Sequence, residues 1–156
     1  KIEPEDVVNL LNAYYDKKTE IIQNFGGDID KFVGDEVMAI FKGDQMANQA
    51  VDCAVEIQAE IQRLNRELGK NIEIGIGINS GSMVMGAMGS KDRMDFTVIG
   101  DNVNLASRLC SAAKAGEVII SENTEKLLVD PNSKMIKLDP IKVKGKEKPI
   151  QIYRIE

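Results

Sequence analysis

The stretch that most constrains this chain is Met94-Asp95-Phe96-Thr97-Val98-Ile99-Gly100-Asp101-Asn102-Val103-Asn104-Leu105-Ala106-Ser107-Arg108-Leu109. Its first part, Phe96 to Ile99, reads as a strand, and the part from Asp101 onward reads as a helix. Gly100 lets the backbone turn, and Asp101 or Asn102 is placed to cap the helix, because a short polar side chain accepts from the first free N–H groups. Along that helix Val103, Leu105, Ala106, Leu109 and Ala113 suit a core, while Asn104 and Arg108, four apart, share another stripe. An amide beside a guanidinium is common on a solvated helix face. It also suits a phosphorylated sugar, since Arg presents a fixed fork of donors to phosphate and Asn donates to an oxygen beside it.

At 156 residues the chain is sized for one domain, spanning 1–156, with a core of its own. A net charge of −5, a pI near 4.9 and no dense basic run argue against a nucleic-acid surface, so an anionic ligand must be met by local cations. Cys53 and Cys110 each lie in an apolar helical pattern, the setting of reduced core thiols rather than of a disulfide or metal clip. The chain has no histidine, which removes the commonest general base, the Ser/His and Cys/His pairs and ordinary zinc sites. Chemistry is left to carboxylates, cations and oxygen-bound metals. No apolar run approaches the ~20 residues of a membrane helix and the N-terminus carries no signal-peptide pattern, so the expected setting is cytoplasmic, alone or as a module of a larger protein.

Taken in order, Glu3-Pro4-Glu5-Asp6 opens a helix whose apolar residues run from Val7 to Ile22 and which ends at Gly26-Gly27. Residues 28–33 and 36–41 form a hairpin turning at Gly34-Asp35, with an acidic tip. A second amphipathic helix covers about 45–68, with Gly69 as its C-cap. Residues 71–79 alternate as a strand. The glycines of Gly75-Ile76-Gly77-Ile78-Asn79-Ser80-Gly81 do not have dinucleotide-fingerprint spacing; Gly77 and Gly81 suit close backbone approach and a turn. Residues 83–88 read as a strand and 89–93 as a polar loop before the Phe96 strand. After the 102–113 helix come a short strand at 117–120, a capped helix from Ser121 to about Leu128, and two strands, 136–143 and 150–155, around the basic loop Lys144-Gly145-Lys146-Glu147-Lys148-Pro149.

The run Phe96 to Leu109, together with Lys31-Phe32-Val33-Gly34-Asp35-Glu36-Val37-Met38-Ala39, closely resembles the signature of class III adenylyl and guanylyl cyclases. The resemblance covers nearly the whole chain. It implies an α+β, ferredoxin-like βαββαβ fold, an antiparallel sheet with helices packed on it. It also implies that Asp35 binds metal, that Lys31 and Thr97 read the purine, that Asn104 orients the ribose and Arg108 stabilises the α-phosphate, and that Lys144 and Arg93 meet the triphosphate. An ammonium has three donors and no acceptor, which suits adenine N1, and Thr97 can accept from the adenine amino group, so the expected substrate is ATP. The implied reaction makes 3′,5′-cyclic AMP and pyrophosphate with two Mg²⁺ or Mn²⁺ ions, at sites shared across a head-to-tail homodimer and under an N-terminal regulatory domain.

One family element is missing from the sequence: the opening strand, which lies centrally in the sheet and supplies the other metal carboxylate. The chain is therefore expected to take a strand from a partner, to close the sheet by rearranging, or to be part of a longer chain, and to be slow without that carboxylate. A non-catalytic nucleotide-binding module of the same shape, a guanylyl cyclase and, from Gly34-Asp35-Glu36 on a hairpin, a diguanylate cyclase are the competing readings. The last leaves the Asn104/Arg108 helix and the Lys144 hairpin without a purpose.

Overall fold

In the computed structural model the described residues are 3–156, with the backbone alone at Met88 and at residues 93–97. Helix α1 (Pro4–Asn24) leads into a hairpin of β1 (Asp28–Val33) and β2 (Glu36–Ile40), then α2 (Met46–Leu68) and β3 (Ile76–Ile78). A second hairpin, β4 (Val84–Ser90) with β5 (Arg93–Ile99), runs into α3 (Asp101–Ala112). The chain ends with β6 (Val118–Ser121), α4 (Glu122–Leu127), β7 (Met135–Lys137) and β8 (Ile152–Ile155). The order α1-β1-β2-α2-β3 is that of a βαββαβ unit after its first strand.

The described strands form three sheets: the β1-β2 hairpin, the β4-β5 hairpin, and a four-stranded sheet in the order β3-β6-β8-β7. Within the last, β3 runs parallel to β6 and the other pairs are antiparallel. Strand β6 is buried on both faces. Val118 and Ile120 pack with Val51 and Ala54 of α2, while Ile119 packs with Leu105 and Leu109 of α3. A third cluster joins α1 to α2 through Tyr14, Ile21, Ile22, Ile57, Ile61 and Leu64.

The alternation along β3 explains how close α3 sits. Ile76 and Ile78 face the α2 cluster, and Gly77 between them and Gly75 just before them face α3. A Cβ on Gly77 would stand 2.2 Å from the Cys110 backbone nitrogen, and one on Gly75 2.9 Å from the Ala113 Cβ. The close approach expected at Gly77 is therefore a contact between strand and helix backbones.

Several expected boundaries move, each for an identifiable reason. Residues 71–75 are outside the strand. Asn65 of α2 takes the place of a neighbouring strand for Ile72, accepting from its N–H (3.1 Å) and donating to its carbonyl (2.7 Å), and Gln58 Nε2 donates to the Ile74 carbonyl at 3.0 Å. The expected polar loop at 89–93 is mostly strand, because Ser90 pairs with Arg93 and the turn shrinks to Lys91 and Asp92. Helix α3 has Gly100 as its N-cap, at φ 130°, and no side chain caps it. Asn102 instead donates to the Ser82 carbonyl at 2.8 Å, and Asn79 donates to the Asn102 carbonyl at 2.9 Å, pinning the turn after β3 to the start of α3. Of the C-terminal pair, β7 and β8 are regular strands, and the remainder is held by one bridge, Ile141 to Ile150.

Among the described residues the sheet is not closed by rearrangement. Strand β2 pairs only with β1 and β3 only with β6 among the described residues. Between their free edges lies a cavity of about 430 Å³, bordered by β2 and β3 at its sides and by Cys53 and Ile57 of α2 and Val103 and Cys110 of α3. No described helix is long and apolar enough to cross a membrane.

Candidate active site

The acidic tip of the first hairpin is held from α1. Tyr15 donates its hydroxyl hydrogen to the Gly34 carbonyl at 2.9 Å and packs edge-on against Phe32, with ring centroids 5.8 Å apart. Lys18, one turn along α1, lies over the Tyr15 ring at 4.7 Å. Burial lowers the Lys18 pKa, against an opposing pull from the negative charge of Asp35. Asp35 is exposed at the turn and borders the central cavity, as do Lys18 and Glu36. Sequence reasoning misses Tyr15 and Lys18 as site residues. Their spacing of three on one helix is the available signal, but it does not show which loop they face.

Lys31 lies on β1, its side chain about a third exposed, and its Nζ stands 4.0 Å from Asp30 Oδ2. Strand β5 packs alongside β1, which brings the backbone of the Thr97 strand to the Lys31 strand. The side chains of Thr97 and Arg93 lie outside the described residues, so their expected roles are carried by position in β5 alone.

Asn104 and Arg108 are both exposed on α3. That helix presents three faces. Leu105 and Leu109 meet the sheet, Val103 and Cys110 border the cavity, and Asn104 and Arg108 lie on the solvent side. Asp35 thus meets the cavity side of α3 while the Asn104/Arg108 stripe points elsewhere. Lys144 is exposed in the C-terminal turn, where Lys146 N–H donates to the Val143 carbonyl at 3.1 Å. Val143 packs on the cluster that includes Leu105 and Leu109, which ties the Lys144 turn to the helix carrying Arg108.

The described residues contain no group of three or more His, Cys, Asp or Glu side chains able to hold a metal. A hard divalent cation bound mainly by substrate phosphates and water needs only one or two protein carboxylates, and Asp35 is an exposed carboxylate at the hairpin turn. The two cysteines are free thiols, as expected. Burial pushes Cys53 up to about 12 and also raises Cys110, to which the charges of Glu36 and Asp35 add. Neither is a thiolate nucleophile near neutral pH.

The family model for the adenylate and guanylate cyclase catalytic domain matches residues 1–156, the whole chain. The chain belongs to this family. Among solved structures, the adenylyl cyclase CyaB from P. aeruginosa superposes on this cyclase domain with a TM-score of 0.92 at 38% identity, covering 100% of this chain and 85% of that one. The guanylyl cyclase Cya2 superposes at 0.84 and 34%, covering 99% and 82%. Among curated proteins, an adenylate cyclase of Anabaena cylindrica is 36% identical over 99% of this chain, and one of Rhizobium meliloti is 30% identical over 97%. The cyclase domain spans only 33% and 24% of those two proteins, so most of their length lies outside it. The guanylate cyclase domain of RhGC from Catenaria anguillulae, 28% identical over 100% of this chain and 86% of that one at a TM-score of 0.86, was solved in complex with GTP. Cyclase domains of this class work with divalent metal ions.

Proposed function

We propose that this cyclase domain converts ATP to 3′,5′-cyclic AMP and pyrophosphate. The ribose 3′-hydroxyl gives up its proton to solvent as its oxygen forms a bond to the α-phosphorus, the bond from that phosphorus to the bridging oxygen breaks, and the pyrophosphate carries that oxygen away. The observation that carries the choice of ATP is Lys31, a partly exposed ammonium on the strand beside β5, because an ammonium offers donors and no acceptor, and adenine N1 is an acceptor. Thr97 completes the adenine pair from β5. Asn104 holds the ribose, Arg108 stabilises the charge that develops on the α-phosphate, and Lys144 with Arg93 binds the leaving phosphates.

Asp35 would hold one Mg²⁺ or Mn²⁺. When bound, such an ion neutralises phosphate charge and lowers the pKa of the 3′-hydroxyl, so that a chain without histidine needs no protein base. The division of faces on α3 supports a site shared between two copies, with Asp35 from one and Asn104 and Arg108 from the other. The open slot between β2 and β3 supports a further strand there, bearing the second carboxylate. An upstream regulatory domain is the expected source of control.

The test is cyclic nucleotide formation from ATP and from GTP with Mg²⁺ or Mn²⁺, on residues 1–156 and on a form extended upstream. Cyclic AMP is expected as the main product, with the extended form at least ~10²-fold faster. Preference for GTP would overturn the base reading, and equal rates would overturn the need for a further strand. The exchange Lys31→Glu with Thr97→Cys reverses donor and acceptor character at the base edge and is expected to weaken ATP use. Unchanged ATP turnover would show that these residues do not read the purine.

A further inference from the structure

We infer that Asp30 is a positioning residue for nucleotide selection: its buried carboxylate, carried on the extra residue of a β-bulge, fixes where the Lys31 ammonium stands. This rests on Lys31 reading the purine and extends that reading to a residue that touches no substrate.

The register of the first hairpin shows the device. Ile29 pairs with Ala39 and Lys31 with Met38, so the register shifts by one and Asp30 is the additional residue of β1 there. In a regular strand Asp30 and Lys31 would point to opposite faces of the sheet. The bulge breaks that alternation, and Asp30 Oδ2 lies 4.0 Å from Lys31 Nζ. Regular pairing resumes at once, with Phe32 opposite Val37 and its ring against Tyr15 of α1.

The two side chains differ sharply in exposure. Asp30's is 4% exposed and Lys31's 37%, so the anion is fixed inside while the cation reaches the rim. A lysine has a long flexible stem and a compact charge, and by itself it does not define a hydrogen-bond direction. An anion locked by burial limits where the ammonium can go, so less of its freedom is lost when a base arrives. A carboxylate that deep is costly unless a cation accompanies it, which makes the restraint mutual.

The test uses the intact natural protein. Asp30→Asn keeps the shape and removes the charge. The expected result is a KM for ATP raised about five- to tenfold with kcat within about twofold, GTP use unchanged, and the ATP:GTP ratio of kcat/KM lowered by the same factor. Asp30→Glu should recover part of the loss. Lys31→Ala run in parallel separates the two claims. If Lys31→Ala leaves the ATP:GTP ratio unchanged, the base reading itself fails. If it lowers the ratio while Asp30→Asn moves it less than twofold, the Asp30 assignment alone is overturned. Asp30→Asn should add nothing to Lys31→Ala, and additive losses would overturn the coupling. Should Asp30→Asn not fold, thermal melts decide. Lys31→Met removes the cation beside the buried carboxylate, so Lys31→Met with Asp30→Asn is expected to melt higher than Lys31→Met alone. A double variant that melts no higher, or does not fold, refutes the coupling.

Discussion

Gly77→Ala tests the contact that places α3. The added Cβ would lie 2.2 Å from the Cys110 nitrogen, 2.7 Å from the Leu109 carbonyl carbon and 2.9 Å from the Ala106 carbonyl oxygen. All three are backbone atoms, so no rotamer change relieves the clash. To reach ordinary contact near 3.4 Å, α3 must retreat by about 1.2 Å. It cannot retreat freely, because Leu109 is fully buried against Ile119 and Ile152. Overpacking of this kind costs about 1–3 kcal/mol, and the backbone origin of the clash puts the expectation near ~3 kcal/mol. For a domain of this size that is a fall in Tm of roughly 6–12 °C. The same retreat displaces Asn104 and Arg108 by about 1 Å, for which a loss of up to ~10²-fold in turnover is expected. Gly75→Ala, whose Cβ would lie 2.9 Å from the Ala113 Cβ and carbonyl oxygen, should give a smaller effect on both measures. Thermal melts followed by circular dichroism and cyclic nucleotide formation from ATP read the two consequences. A Gly77→Ala protein with Tm within about 1 °C of the parent would refute the packing argument. Lowered stability with unchanged turnover would show that α3 does not carry the reacting site.

Asn104→Ala and Arg108→Ala are each expected to lower kcat by ~10²-fold or more with a smaller change in KM, and to leave Tm nearly unchanged because both side chains are exposed; a rise in KM alone would mark them as docking residues. Asn65→Ala removes the acceptor of the Tyr14 hydroxyl (2.6 Å) and both partners of the Ile72 backbone, and should cost about 3 kcal/mol in urea unfolding; a loss under about 1 kcal/mol would show that water replaces the amide. Burial raises the Cys53 thiol from 9.0 to about 12, so the folded state keeps it neutral where the unfolded chain ionises it. Its contribution is intact below pH 9.0 and is lost as pH climbs from there toward about 12, by at most ~1.4 kcal/mol per pH unit. Cys53→Ala should flatten that alkaline decline, and identical slopes for the two proteins would contradict the burial effect.

The sequence by itself determined the elements whose signals are local. The apolar period of α1 and α2, the turn at Gly34-Asp35, the strand-to-helix passage at Gly100 and the Ser121 cap are each written within a few residues, and the structure has them. The four-residue spacing of Asn104 and Arg108 likewise sufficed to place both on one face of a helix. Tertiary structure decided whatever depends on partners distant in the chain. Residues 71–75 alternate like a strand but give their backbone bonds to Asn65, Gln58 and Gly116 instead. The polar segment 89–93 looks like a loop and is strand except at the Lys91-Asp92 turn, because pairing of β4 with β5 supplies a ladder that outweighs poor local propensity. Nothing local in the sequence marks Asp30, and only the folded hairpin shows it at a bulge with its side chain buried. The slot between β2 and β3, and the separation of Asp35 from the Arg108 face of α3, arise from how whole elements stack. Periodicity records which face of an element is apolar, whereas a hydrogen-bond partner or a cavity exists only once remote segments have been brought together.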